Sequence, residues 1–204
     1  MACRGSMKRE TFILSTLFCL LLVGFPFSGH TAGPDGFANV PWGATRSQVD
    51  QAMMQQGFRP EGQVAGKSYN DGSIGFSYQG AITGVTGHAQ FWFLNDTFFR
   101  ADFSFSYNDD GNAEWPAYNR FLSIIQSKYG PPTNGGSMSP PYRGSYSVWD
   151  GLQAPGSPDV VQIALSYSAT SERCGGNLCS SFFNVVYLNQ GLQQRLAGQN
   201  RNGL

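Results

Sequence analysis

Histidine, charge and free cysteine are scarce in this 204-residue chain: it has two histidines, four cysteines and only 13% charged residues, balanced at 13 basic and 13 acidic. The shortage excludes several functions at once. A neutral chain without basic clusters does not attract nucleic acid or an anionic bilayer. One histidine (His30) lies in the N-terminal leader described next, so only His88 remains for imidazole chemistry, and a zinc site needs about four ligands. No cofactor motif is present: Gly135-Gly136-Ser137 has neither the lysine nor the strand-to-helix setting of a phosphate loop.

What is there begins with an export leader. Lys8 and Arg9 precede an uncharged apolar run from Phe12 to Phe27, and small residues follow, ending at Thr31-Ala32. The run falls short of the ~20 residues a membrane-spanning helix needs, and Pro26 and Gly29 break it where a signal peptide ends. Residues 1–32 are therefore expected to be a cleaved signal peptide, leaving a periplasmic or extracellular protein with no stable membrane insertion. Loss of Arg4, Lys8, Arg9 and Glu10 takes the two charge counts from 13 and 13 to 10 and 12, a slight negative excess.

Outside the cytosol, Cys174 and Cys179 are expected to pair. They bracket Gly175-Gly176-Asn177-Leu178, so the disulfide would pin a turn and add about 2 kcal/mol on the loop-entropy account. Their four-residue spacer differs from the two-residue spacer of thioredoxin-like redox motifs.

Patterning then predicts the elements. Thr45 and Gln48 form a Thr-x-x-Gln capping box for a helix over 45–56 that buries Val49, Ala52 and Met53 and stops at Gly57. Trp115, Tyr118, Leu122, Ile125 and Tyr129 recur at helical spacing, predicting a second helix over 113–129 closed by Gly130-Pro131. Between the helices lies a β-hairpin. Ala89, Phe91, Phe93, Phe99, Ala101, Phe103, Phe105 and Tyr107 occupy the odd positions, while His88, Gln90, Trp92, Arg100, Asp102 and Ser104 occupy the even ones. A three-residue loop, Asn95-Asp96-Thr97, keeps those faces separate by pairing 93 with 99, 92 with 100 and 88 with 104.

Alternation also predicts strands at 73–78, 145–150, 160–168 and 182–188, the last two clipped by the cysteine loop. Residues 131–141 read as a Pro/Gly/Ser loop, and 193–204 as a flexible polar tail. The fold class is thus α+β: an antiparallel sheet packed by two helices in a single domain over 33–192. Its order, helix and three strands twice over, fits a tandem duplication with halves 37–110 and 111–192.

Several segments together carry a resemblance. Pro41-Trp42-Gly43-Ala44-Thr45-Arg46-Ser47-Gln48-Val49, the hairpin, and Lys128-Tyr129-Gly130-Pro131 ahead of Trp149-Asp150-Gly151 together resemble a group of small exported bacterial proteins of unknown function. Gly43, Thr45 and Val49 are similar to the start of the small lipoprotein of the outer-membrane β-barrel assembly machinery, although this chain lacks the lipidation cysteine. The tandem helix-plus-sheet order resembles the β-lactamase-inhibitory-protein architecture. These resemblances imply a binding or assembly role and bring no catalytic residues.

Each chemical candidate has a plainer reading. His88 near Asp102 and Ser104 suggests a Ser-His-Asp set, but residues side by side on one sheet lack a nucleophile elbow and an oxyanion hole. Asn108-Asp109-Asp110-Gly111-Asn112 with Glu114 is oxygen-rich, yet its glycine is misplaced for an EF-hand and the loop reads as a turn before the second helix. Glu61, Asp102 and Glu114 are the acid or base candidates for a carbohydrate-binding protein or hydrolase, which requires two carboxylates facing across a cleft. The remaining signal is aromatic. Trp92 is expected on the solvent side with Arg100, His88, Gln90 and Asp102, and Tyr142, Tyr146 and Trp42 in loops or edge strands. Exposed Trp, Tyr and Arg anchor protein interfaces, so the expectation is a non-enzymatic module that lays this sheet face against another envelope protein.

Overall fold

In the computed structural model the chain is described over residues 32–64, 72–107, 114–138, 142–170, 173–174, 177–178 and 181–202. The leader, Cys179 and the loop 108–113 lie outside these residues, as do the side chains of Cys174, Glu114 and Tyr142. The readings made for them, the disulfide and the oxygen-rich turn included, have no counterpart below.

The chain opens with a two-stranded ribbon, β1 (Gly36–Phe37) and β2 (Val40–Pro41), then helix α1 (Arg46–Gln55). Thr45 caps α1 as the sequence predicts: its hydroxyl accepts from Gln48 N while the Gln48 side chain accepts from Thr45 N at 2.8 Å. Val49 and Met53 are fully buried, with Ala52 packed beside them. Gly57 ends the helix in a left-handed conformation, φ +83°, that glycine adopts without a Cβ penalty.

Four strands follow, β3 (Arg59–Gln63), β4 (Ile74–Ile82), β5 (Val85–Leu94) and β6 (Thr97–Tyr107), and then helix α2 (Glu114–Tyr129). The second half supplies β7 (Asn134–Ser137), β8 (Tyr142–Gln153) and β9 (Val160–Thr170), the ribbon β10 (Arg173–Cys174) and β11 (Asn177–Leu178), strand β12 (Ser181–Asn189) and helix α3 (Gln190–Asn202). Eight strands form one antiparallel sheet in the order β3-β4-β5-β6-β12-β9-β8-β7. The fold is α+β. The last strand of each half meets at the centre, β6 against β12, so the halves are arranged about the seam in mirrored strand order.

Each half therefore has one strand more than the alternation announces. β3 (RPEGQ) and β7 (NGGS) are polar edge strands exposed along their length, with no buried face to impose a period of two. Pro60 is tolerable in β3 because an edge strand need not donate on both sides.

One sheet face holds the main core. Phe91, Ala101, Phe103, Phe105, Val161, Ile163, Leu165, Phe183 and Val185 lie there beneath α1, α2 and the N-terminal ribbon. Phe121 of α2 sits over the seam, 5.8 Å from the Phe103 ring and 5.1 Å from Phe183. The buried stripe of α2 is Ala117, Tyr118, Phe121, Ile125 and Tyr129. Trp115, expected in that stripe, is half exposed and stacks on Tyr118 instead.

The hairpin departs from expectation at its tip. Pairings 88 with 104 and 92 with 100 hold, but the turn is two residues long, and Phe93 pairs with Phe98 across a β-bulge. Asn95 and Asp96 both adopt positive φ, 52° and 58°, as a twisted two-residue hairpin turn demands. The bulge absorbs the face-mixing that the three-residue loop was expected to avoid. Phe98 consequently enters the main core, and Phe99 turns to the opposite face.

That tip is tied to α1. Gly43 N donates to Phe98 O and Phe98 N to Ala44 O, both at 2.9 Å. The Trp42 ring stacks on Phe98 at 5.0 Å, and Asp96 Oδ1 accepts from Arg46 N in the first turn of α1 at 3.1 Å. At the other motif, Trp149 Nε1 donates to Gly130 O at 2.9 Å, joining strand β8 to the stop of α2. Both sequence motifs thus have structural work at a helix end.

Candidate functional site

The face opposite the helices α1 and α2 carries the residues expected to bind a partner, and the structure divides it into two zones. In the first zone α3 covers the tip of the hairpin. Trp92 is 1% exposed and packs with Leu94, Phe99 and Leu196, flanked by Val64, Leu188, Leu192 and Ala197. Its ring lies across β4 at Gly75, where a Cβ would come within 2.8 Å of the indole.

The expected exposure of Trp92 is therefore corrected: the register places it on the predicted face, but the supposed tail is a helix that buries it. Leu192 and Leu196, one helical turn apart, are the signal for that helix. Asn189 Oδ1 caps α3 through Leu192 N at 2.8 Å. Buried Asp159 fixes it further, pairing with Arg195 and accepting from Asn189 Nδ2 at 3.4 Å.

Asp102 is likewise structural. Its buried carboxylate accepts from Trp92 Nε1 at 2.8 Å and from Arg100 Nε and Nη2 at 3.0 Å. The Arg100 guanidinium stands 5.9 Å from the Trp92 ring centroid, at the outer limit of cation–π attraction. Trp92, Arg100 and Asp102 form one knot under α3, and His88 and Gln90 lie beyond it.

The second zone is open. Pairing aligns Gln79, His88, Ser104, Asn184, Ser166 and Tyr146 in one row across β4, β5, β6, β12, β9 and β8. At 4.7–4.9 Å between strands the row spans roughly 24 Å. Phe182, 43% exposed, stands beside it between Ser106 and Ser168, and Tyr146 is 36% exposed. Phe182 thus presents an apolar ring on a part of the face otherwise set with serine and asparagine. Sequence reasoning passed over Phe182 because alternation marks only which face it takes, not whether anything covers that face. Trp42, also among the aromatics expected at the surface, is partly buried against Phe98 and donates to Pro34 O at 2.7 Å.

At the β3 edge of this zone, Glu61 Oε2 accepts from Ser77 Oγ at 2.6 Å and lies 2.8 Å from His88 Nδ1. Partial burial raises the Glu61 pKa, but the Ser77 and His88 hydrogen bonds and the His88 charge outweigh it and hold the carboxyl below its ordinary value. The carboxylate stands between hydroxyl and imidazole, the wrong order for a base-activated serine, whose hydroxyl must bond to the histidine. Glu61 and Asp102 are held by separate donor sets, Ser77 and His88 for the one and Trp92 and Arg100 for the other. Among the described residues no three His, Cys, Asp or Glu side chains cluster as metal ligands, and no helix is long and apolar enough to cross a membrane.

No protein-family profile and no curated protein matches the sequence. Among solved structures the chain is similar to one described as "putative beta-lactamase inhibitor protein" from Streptococcus mutans, at 15% identity over 84% of this chain and 96% of that one, with a TM-score of 0.24. That likeness is too slight to carry fold or function from the one chain to the other.

Proposed function

We propose that this chain is an exported, non-enzymatic protein-binding module that docks the open zone of its sheet, around Phe182, Tyr146, Asn184 and His88, onto another envelope protein. One observation carries the reading: a continuous polar row across six strands, with an exposed tyrosine in it, an exposed phenylalanine beside it and, among the described residues, no helix over it. Its breadth suits a patch of about 800 Å² per partner. Rigid antiparallel strands present such residues with little ordering cost on binding. The basic head at Lys8-Arg9 and the apolar run 12–27 support an encounter outside the cytosol, and the short list of ionisable groups favours recognition over catalysis.

The test is affinity capture from the producing cell's envelope fraction with wild type and with the Phe182→Ser/Tyr146→Ser double variant, followed by direct titration of the recovered partner. Because truncating interface aromatics commonly costs 2 kcal/mol or more, the double variant should bind at least about thirtyfold more weakly. Equal affinity of the two forms would remove the open zone as the binding surface.

A further inference from the structure

On the helix-bearing face, away from the proposed docking zone, residues 35–41 and α2 enclose a cleft of about 520 Å³. That volume lies within the range of small-molecule sites. Its apolar lining comes from Phe37, Ile82, Phe121 and Ile125. Its polar lining comes from Tyr129, Tyr187 and Lys128 together with Asp35, Asn39 and Thr83.

Tyr187 is the informative residue. Its ring packs on Phe37 at 5.1 Å, and the residue lines the cleft. Burial, with Tyr129 close by, pushes its pKa well above the ordinary tyrosine value, so the group stays protonated and able to donate. Tyr129 is also held protonated: burial, helped by the Asp35 charge, outweighs its hydrogen bond with Lys128 and the charge of that ammonium, which stands 5.2 Å from its ring centroid. Two phenolic donors and an ammonium beside an apolar wall match an acceptor-rich anionic head on an apolar body. Asp35 is solvent-exposed, where water screens its opposing charge.

We propose that this cleft binds a small amphipathic carboxylate, its chain or ring along Phe37, Ile82, Phe121 and Ile125 and its head on the Tyr187 and Tyr129 hydroxyls beside Lys128. The site is independent of the docking zone, so either can fail without the other.

Isothermal titration of the full chain with sodium decanoate tests it. The expectation is saturable one-to-one binding with a dissociation constant of roughly 100 μM, a modest ligand efficiency for a molecule of that size. Tyr187→Phe removes one oxygen and leaves the ring packing, and should weaken binding about tenfold. Ile124→Trp, at a half-exposed position on the cleft rim, narrows the entrance without touching the core and should weaken it comparably. Decylamine, with the same chain and the opposite charge, should bind at least about tenfold more weakly. Absence of saturable decanoate binding, equal binding of decylamine, or affinity unchanged in both variants, as expected if the apolar leader were the binder, would overturn the proposal.

Discussion

The two ends of the sheet's second face run along the same strands and differ by a single change of residue type. At the hairpin tip, Trp92, Leu94, Phe99 and Leu188 are apolar and lie under α3. A few residues along, His88, Ser104, Asn184 and Ser166 are polar and lie open. Strand pairing is continuous through both, so backbone geometry does not distinguish them. The large apolar side chains Trp92, Leu94, Phe99 and Leu188 gather at the covered end, and the row through Gln79, His88, Ser104, Asn184 and Ser166 carries none. Phe182 and Tyr146 are the exposed aromatic rings of the open end, which is why they mark the binding reading.

Breaking the covered end should have the largest effect. Trp92→Ala removes the largest side chain beneath α3 and leaves the Asp102–Arg100 pair without its indole donor, so a loss of about 3–5 kcal/mol is expected in urea unfolding. Leu196→Ala, cutting the same contact from the helix side, should cost about 2–3 kcal/mol and shift Trp92 fluorescence to the red if α3 loosens. Should Leu196→Ala prove neutral, α3 would not be the cover described here.

A middle-sized effect is expected from Arg195→Ala. It leaves the buried Asp159 carboxylate to Asn189 alone, a cost of about 1–3 kcal/mol for an under-satisfied buried charge, moderated by the exposure of Arg195. Asp159→Asn combined with Arg195→Ala should cost less than the arginine change by itself, since no orphaned charge remains. A double-mutant cycle reads the difference.

The open end should behave in the opposite way. Phe182→Ser and Tyr146→Ser are expected to alter folding stability by no more than about 0.5 kcal/mol, because neither site is enclosed. A loss above 2 kcal/mol would mean that the zone is covered in solution.

The smallest effect concerns pH. The Glu61 carboxyl is depressed in the folded protein, so its stabilising contribution is complete above the unfolded glutamate value of 4.5 and fades as pH falls through the lower folded value. Glu61→Gln should therefore flatten the dependence of the urea midpoint on pH below about 4.5 and leave it unaltered near neutrality. An identical acid limb in both proteins would remove the Ser77–Glu61–His88 contact from the open zone.

These contrasts also show what the sequence could convey. Period-two alternation at Phe91, Phe103, Phe105, Val161, Ile163, Phe183 and Val185 placed the core face, since burial on one side imposes that pattern. The capping box at Thr45 and Gln48 placed α1 to within a residue. The edge strands β3 and β7 were invisible because full exposure leaves composition unconstrained. The bulge at Phe98-Phe99 was hidden because one extra residue reverses the apparent face of everything beyond it. Trp92 was placed on the correct face and given the wrong environment: periodicity reports direction, whereas cover depends on a helix about a hundred residues later, foreshadowed only by Leu192 and Leu196.

The seam between β6 and β12 has a consequence for the order of assembly. Ser104 pairs with Asn184, and between them lie α2, β7, β8 and β9. Neither half can satisfy its innermost strand until nearly the whole chain is present, and such distant pairings form slowly because a large loop must close first. A polypeptide threaded through a translocation channel would thus stay unfinished, and passable, until its C-terminal strand arrives to lock the two halves together.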